Sequence, residues 1–218
     1  MNLLHTSHIP AGSGPFPTLI ALHGWGASAH DLLGLAPWLA GGKALVLCPQ
    51  GQVTLPLGGG VEGYGWFPLV PGQPPSEEVF DQARQALHTF VTEARDRYPM
   101  DPERTAVLGF SQGGVMAYDL VLRSPEEFSG LAALSSWLPE PLAEAVAPRP
   151  EHRELPTLLV HGIGDAVIDI ERARESRETL RRFEVSLTYR EFEMEHEIRP
   201  EALTLIGDWL IRRAFGQV

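Results

Sequence analysis

The sequence predicts an α/β fold: a mainly parallel central sheet with helices on both faces. Three observations carry that expectation. Short apolar runs alternate with longer helical patterns along the chain, as happens when buried parallel strands are joined by crossover helices. A serine flanked by glycines, in Leu108-Gly109-Phe110-Ser111-Gln112-Gly113-Gly114, stands where one apolar run passes into a helical pattern. Finally, 218 residues of which 44% are hydrophobic suffice for one well-filled domain, 1–218, and fall short of two.

In chain order, strands are expected at 18–22, 44–48, 105–110, 130–134, 157–160 and 186–192, where β-branched and aliphatic residues cluster. Helices are expected at 29–40, 76–97, 112–123, 170–183 and 200–214. Sheets of this kind bind ligands at the carboxyl ends of their strands. Two long segments have no periodicity. The first, 52–75, contains Gly58-Gly59-Gly60 and the aromatic group Tyr64-Gly65-Trp66-Phe67, read as a wall of a binding site because exposed aromatics are costly, with pinning of the loop onto the core as the alternative. The second, 139–156, is rich in Pro, Glu and Ala and reads as a small lid or a connection.

The charge balance excludes some functions. With 17 basic and 28 acidic residues the formal net charge is -11, so no global attraction to nucleic acid or to an anionic membrane is expected. No apolar stretch reaches membrane-spanning length and no signal-peptide pattern opens the chain, so stable membrane insertion is not expected and a cytoplasmic protein is. Cys48, the single cysteine, lies in Ala44-Leu45-Val46-Leu47-Cys48-Pro49 and reads as a small core hydrophobe.

The Ser111 segment has the form of a nucleophile elbow, in which glycines permit an abrupt strand-to-helix turn that holds a hydroxyl clear of the backbone. A serine at its free pKa is a weak nucleophile, so the reading demands a histidine base, an acid to orient it, and donors for an oxyanion. His196 is the base candidate, since it follows the strand at 186–192 and precedes a helix. Of the other histidines, His161 and His23 read as hydrogen-bonded structural residues and His152 as exposed. Asp165, just beyond the strand at 157–160, is the acid candidate; its rival Asp169 reads as a helix N-cap. The order Ser, Asp, His is the one this fold uses. Oxyanion donors are expected from the amides of Gln112 and Trp25, the latter on the glycine-rich loop Leu22-His23-Gly24-Trp25-Gly26. The Trp25 indole is then free to line an acyl pocket, with a core anchor as the alternative.

With these motifs, together with Pro49-Gln50-Gly51, Gly65-Trp66-Phe67 and His196-Glu197-Ile198, the chain resembles the phospholipase/carboxylesterase group of α/β-hydrolases, which includes acyl-protein thioesterases. The resemblance spans nearly the whole chain and implies an α/β-hydrolase without a large cap domain, acting on carboxylic esters or thioesters. Three positions depart from the family pattern: Ile163 replaces an acid, Ala166 a proline and Glu195 a glycine. Glu195 adds a carboxylate beside His196 that works against an anionic substrate.

Other signals do not hold up. Gly58–Gly63 satisfies G-x-G-x-x-G but opens no helix, Lys43 lacks the spacing of a phosphate loop, and no histidine or cysteine cluster has zinc spacing. The expectation is therefore a serine carboxylesterase that needs no cofactor and no metal and takes a small ester or thioester, with homodimerisation open. Longer acyl chains in a channel past Trp66 and Phe67, as in thioesterase or lysophospholipase action, form one alternative; a catalytically silent binding protein on the same scaffold is the other.

Overall fold

A strand covered on both faces needs apolar side chains at successive positions, and the central apolar runs of this chain form such strands. The computed structural model describes residues 1–70 and 76–216. In chain order the elements are β1 (His5–His8), β2 (Phe16–Leu22), β3 (Leu45–Pro49), β4 (Val53–Gly58), β5 (Val61–Gly65), α1 (Glu77–Arg97), β6 (Met100–Phe110) and α2 (Gln112–Arg123). They continue with β7 (Gly130–Leu134), α3 (Glu140–Ala145), α4 (Pro150–Glu154), β8 (Pro156–Gly162), α5 (Ile170–Arg182), β9 (Ser186–Phe192) and α6 (Pro200–Trp209), which runs into a π-helical turn, Leu210–Ala214.

Seven strands form one sheet in the order β1-β3-β2-β6-β7-β8-β9. Only β1 runs antiparallel; the other pairings are parallel. Alternate residues of one strand feed opposite layers. Ile20 and Leu22 join α1 and α2 on one face, whereas Leu19 and Ala21 pack on the other with the 32–40 segment, Ile206 and Trp209. Cys48 is buried in that second layer, and burial pushes its thiol up to about 12. Every residue of α2 from Gln112 to Leu122 is buried. Among the described residues, no helix is long and apolar enough to cross a membrane.

Several expectations need correction. Residues 29–40 do not form a helix but two short 3-10 turns, Leu33–Leu35 and Leu39–Gly42. Pro37 brings no amide to the ladder, Gly34 favours no helix, and the backbone instead closes i to i+3 bonds such as Leu35 N–H to Leu32 O. The 52–75 segment is largely a hairpin of β4 and β5, turned by Gly58, Gly59 and Gly60, all at positive φ; its last part, 71–75, lies outside the described residues. Two short helices, α3 and α4, occupy the 139–156 segment, α4 with Pro150 in its first turn. His152 is fully buried, not exposed: its Nδ1 accepts the Arg149 amide at 2.9 Å, its Nε2 lies 2.9 Å from Leu122 O, and its ring meets Phe183 edge-on.

The edge strand β9 is held from outside by ions. Arg174 of α5 grips the Glu191 carboxylate through Nε and Nη2, each at 2.9 Å. The Tyr189 hydroxyl donates to Glu191 at 2.7 Å. These donors pull the Glu191 carboxyl down from the ordinary 4.5 to about 2. A depressed acid stabilises the fold above its ordinary value and ceases to as the pH falls through the folded one. Glu191→Gln should therefore lower the thermal midpoint at pH 7, and lose less further stability than the parent between pH 4.5 and about 2. Circular-dichroism melts across that window measure both effects.

Candidate active site

Four loops at the carboxyl ends of β2, β6, β8 and β9 converge, and the turn after β6 lies at the centre. Ser111 adopts φ 53° and ψ −120° between β6 and α2, a conformation that costs a residue with a Cβ and needs support from its surroundings. The support is visible. Ser111 N–H donates to Leu134 O at 2.9 Å, and Ser111 O accepts from Gly114 N–H at 2.9 Å and from the Ser136 hydroxyl at 2.7 Å. Gly113 lets the first turn of α2 lie directly on the end of β2, since a Cβ there would run into the carbonyls of Leu22 and His23.

His196 reaches this turn from the loop after β9. Its Nε2 lies 3.0 Å from Ser111 Oγ, and its Nδ1 lies 2.7 Å from Asp165 Oδ2. The fully buried Asp165 carboxylate takes two further donors on Oδ1, Val167 N–H at 2.9 Å and Ile168 N–H at 2.8 Å. Its Oδ2 fixes the His196 tautomer, with the proton on Nδ1 and a lone pair facing the serine. The two loops are joined to each other, because β8–β9 pairing is continued by Ile163 N–H to Phe192 O at 2.8 Å and Gly164 N–H to Met194 O at 3.1 Å. Phe110 lies against the imidazole with ring centroids 4.9 Å apart and the rings tilted by 47°. Asp169 is occupied elsewhere, capping α5 through Glu171 N–H.

The loop after β2 brings Trp25 to the same place. A Cβ on Gly24 would sit 3.2 Å from the Ser111 Cβ, so this backbone passes close over the serine. Among the described residues, neither the Trp25 nor the Gln112 amide is taken by a backbone or side-chain acceptor. Both remain available as donors beside Ser111. The Trp25 indole is half-buried and lies against Gly65, where any Cβ would displace it. Gly26 N–H to Tyr64 O, 2.9 Å, and Tyr64 N–H to Ala27 O, 2.8 Å, hold the loop to β5. His23 is buried and structural: Gly51 N–H donates to its Nε2 at 3.0 Å, and burial lowers its pKa, which keeps it neutral.

Trp66 and Phe67 do not form a channel wall. They are 3% and 1% exposed and belong to the core, so pinning of the segment is what the aromatics do. Trp66 Nε1 donates to His23 O at 2.9 Å. The Gln112 side chain completes the attachment: its Oε1 accepts Trp66 N–H at 2.8 Å and its Nε2 donates to Phe67 O at 2.6 Å. Sequence reasoning missed this second role of Gln112 and that of Ser136. The pair Ser135-Ser136 directly after an apolar run, at a strand's carboxyl end, was the available signal.

Comparison with known proteins agrees with this architecture. A family model described as phospholipase/carboxylesterase matches residues 8–212. The chain is 27% identical over 217 residues to a protein named acyl-protein thioesterase 1 from Gibberella zeae, with 92% of each covered. It is 28% identical to a protein of the same name from Mycosarcoma maydis, with 96% of this chain and 97% of that one covered. The crystal structure of a Bacillus cereus carboxylesterase superposes with a TM-score of 0.81 at 20% identity, covering 97% of this chain and 94% of that one.

Gln112→Leu keeps the side-chain volume and strands Trp66 N–H and Phe67 O in a buried place. Each stranded group costs on the order of 1–3 kcal/mol. Urea denaturation should show a midpoint shifted down accordingly, and an unchanged midpoint would mean that water replaces the lost bonds.

Proposed function

The chain belongs to the phospholipase/carboxylesterase family, and from that premise we propose that it hydrolyses carboxylic esters through a covalent acyl-enzyme on Ser111. The observation that carries the reading is the unbroken hydrogen-bond chain from Ser111 Oγ through both nitrogens of His196 to Asp165. Ser111 Oγ attacks the acyl carbonyl while His196 Nε2 takes its proton. The imidazolium that forms is stabilised by the Asp165 carboxylate. The amides of Gln112 and Trp25 hold the developing oxyanion. His196 then returns the proton to the leaving alcohol, which departs and leaves an ester on Ser111. A water molecule repeats the sequence against that ester: His196 removes its proton, the tetrahedral species collapses, and Ser111 recovers its hydrogen as the carboxylic acid leaves.

Nothing in this cycle calls on a cofactor, and one α/β-hydrolase domain carries all of its groups. Thioester hydrolysis is the second reading, favoured by the two thioesterase relatives that align along more than nine-tenths of this chain. A thioester passes through an analogous tetrahedral species, with sulfur in place of the leaving oxygen and a better leaving group, and gives the same acyl-enzyme, so the same residues serve. Anionic substrates fit worst. The net charge is -11, and Glu193, Glu195 and Glu197 are all exposed on the segment that carries His196.

Hydrolysis of p-nitrophenyl esters from acetate to palmitate, compared with a thioester series of the same chain lengths, tests the reading. Ser111→Ala and His196→Ala should nearly abolish turnover, and Asp165→Asn should lower kcat by up to ~10⁴-fold through the wrong imidazole tautomer. Full activity in Ser111→Ala would overturn the serine mechanism. Normal activity in Asp165→Asn would remove Asp165 from it.

A further inference from the structure

One buried histidine outside the proton-transfer chain touches the same carboxylate. His161, on β8, is fully buried. Its Nε2 lies 2.8 Å from Ile168 O and 3.4 Å from Asp165 Oδ2. That oxygen is also the one 2.7 Å from His196 Nδ1. Ile168 is held at both ends, since its N–H donates to Asp165 Oδ1 at 2.8 Å while its carbonyl faces His161. The other ring nitrogen, His161 Nδ1, is buried with no hydrogen-bond partner among the described residues. A proton on Nδ1 would be a buried donor without an acceptor, whereas a proton on Nε2 has Ile168 O in line. The tautomer is thereby chosen.

We propose that His161 is a positioning residue for the Asp165–His196 pair: its Nε2–H closes the turn that presents Asp165 and partly offsets the negative charge on Oδ2. The inference rests on the reading that Asp165 orients His196. The Asp165 carboxylate is enclosed by N–H dipoles, two backbone amides on Oδ1 and two imidazoles beside Oδ2, with no Lys or Arg cation against it among the described residues. The charge that His196 meets depends on how much those dipoles compensate. Removing the His161 N–H leaves Oδ2 more negative, so imidazolium persists to higher pH and the free base appears later. Of the charged groups near the pair, Asp169 caps α5, Arg199 pairs with Glu197 and donates to Glu193 O, and Glu193 and Glu195 are exposed, the latter with its backbone against Gly162.

The test compares His161→Leu with His161→Gln, whose amide Nε2 can still donate to Ile168 O. Expected for His161→Leu is a kcat loss on the order of 10²-fold from the misplaced acid, little change in KM, and an acid limb of kcat/KM displaced to higher pH. His161→Gln should recover most of both effects. A merely structural histidine would lower the amount of folded enzyme without moving the acid limb. Should neither variant fold, ¹⁵N-histidine spectra of the wild type decide, with His161 Nε2 protonated and Nδ1 bare across the active pH range. An unmoved acid limb in folded His161→Leu, or a proton on His161 Nδ1, would overturn the proposal. Either result beside a Ser111→Ala variant that is inactive would leave the serine mechanism standing.

Discussion

A residue with a Cβ held at φ 53° sits above its relaxed conformations by on the order of 1–3 kcal/mol, and much of the structure around Ser111 exists to keep it there. The amide is tied to β7 and the carbonyl is held twice, once by the Ser136 hydroxyl. The helix that follows is buried from Gln112 to Leu122. Relaxing the turn would require α2 to leave its groove. Because Gly113 has α2 in direct contact with the end of β2, the same packing that bears the strain also brings the Gly24–Trp25 loop over the serine. Ser111 and the amides proposed to hold the oxyanion are thus placed by one backbone contact.

Asp165 and His196 are placed by a different device. Both stand on loops that extend the pairing of β8 with β9, so their separation follows from sheet register and not from side-chain packing alone. Asp165 then collects its donors from its own turn, and His161 Nε2, from within β8, lies 3.4 Å from Oδ2. A buried carboxylate without a cation is tolerable only when its lone pairs are so occupied. The arrangement leaves one acceptor position directed outward, and His196 fills it.

The sequence made the central elements legible because burial on both faces leaves an uninterrupted apolar signature: β7 and α2 lie at the positions their runs indicate. Edges were harder. His5-Thr6-Ser7-His8 is polar throughout, yet it pairs with β3, because an edge strand can leave its side chains half in water. Residues 29–40 have helical periodicity, but Gly34 and Pro37 break the ladder and tertiary packing accepts 3-10 turns instead. The candidate site residues were legible through chemistry, since Ser111, Asp165 and His196 each follow a strand in the order the proposed mechanism needs. What local sequence does not encode is partnership across long separations. The burial of His152 under Phe183, the Gln112 contacts with Trp66 and Phe67, and the His161 contact with Asp165 all depend on which side chains the finished sheet brings face to face.

The joining of the Asp165 and His196 loops bears on how the chain acquires its activity during refolding. Ser111 and Asp165 follow interior strands, but His196 is delivered by β9, an edge strand whose side chains are only partly buried and whose outer support is the Arg174–Glu191 pair. A partially refolded ensemble with β2, β3, β6, β7 and β8 assembled would already show most of the native ellipticity and would still lack His196 beside Ser111. Recovery of hydrolysis therefore clocks the docking of β9, the step that ellipticity reports least.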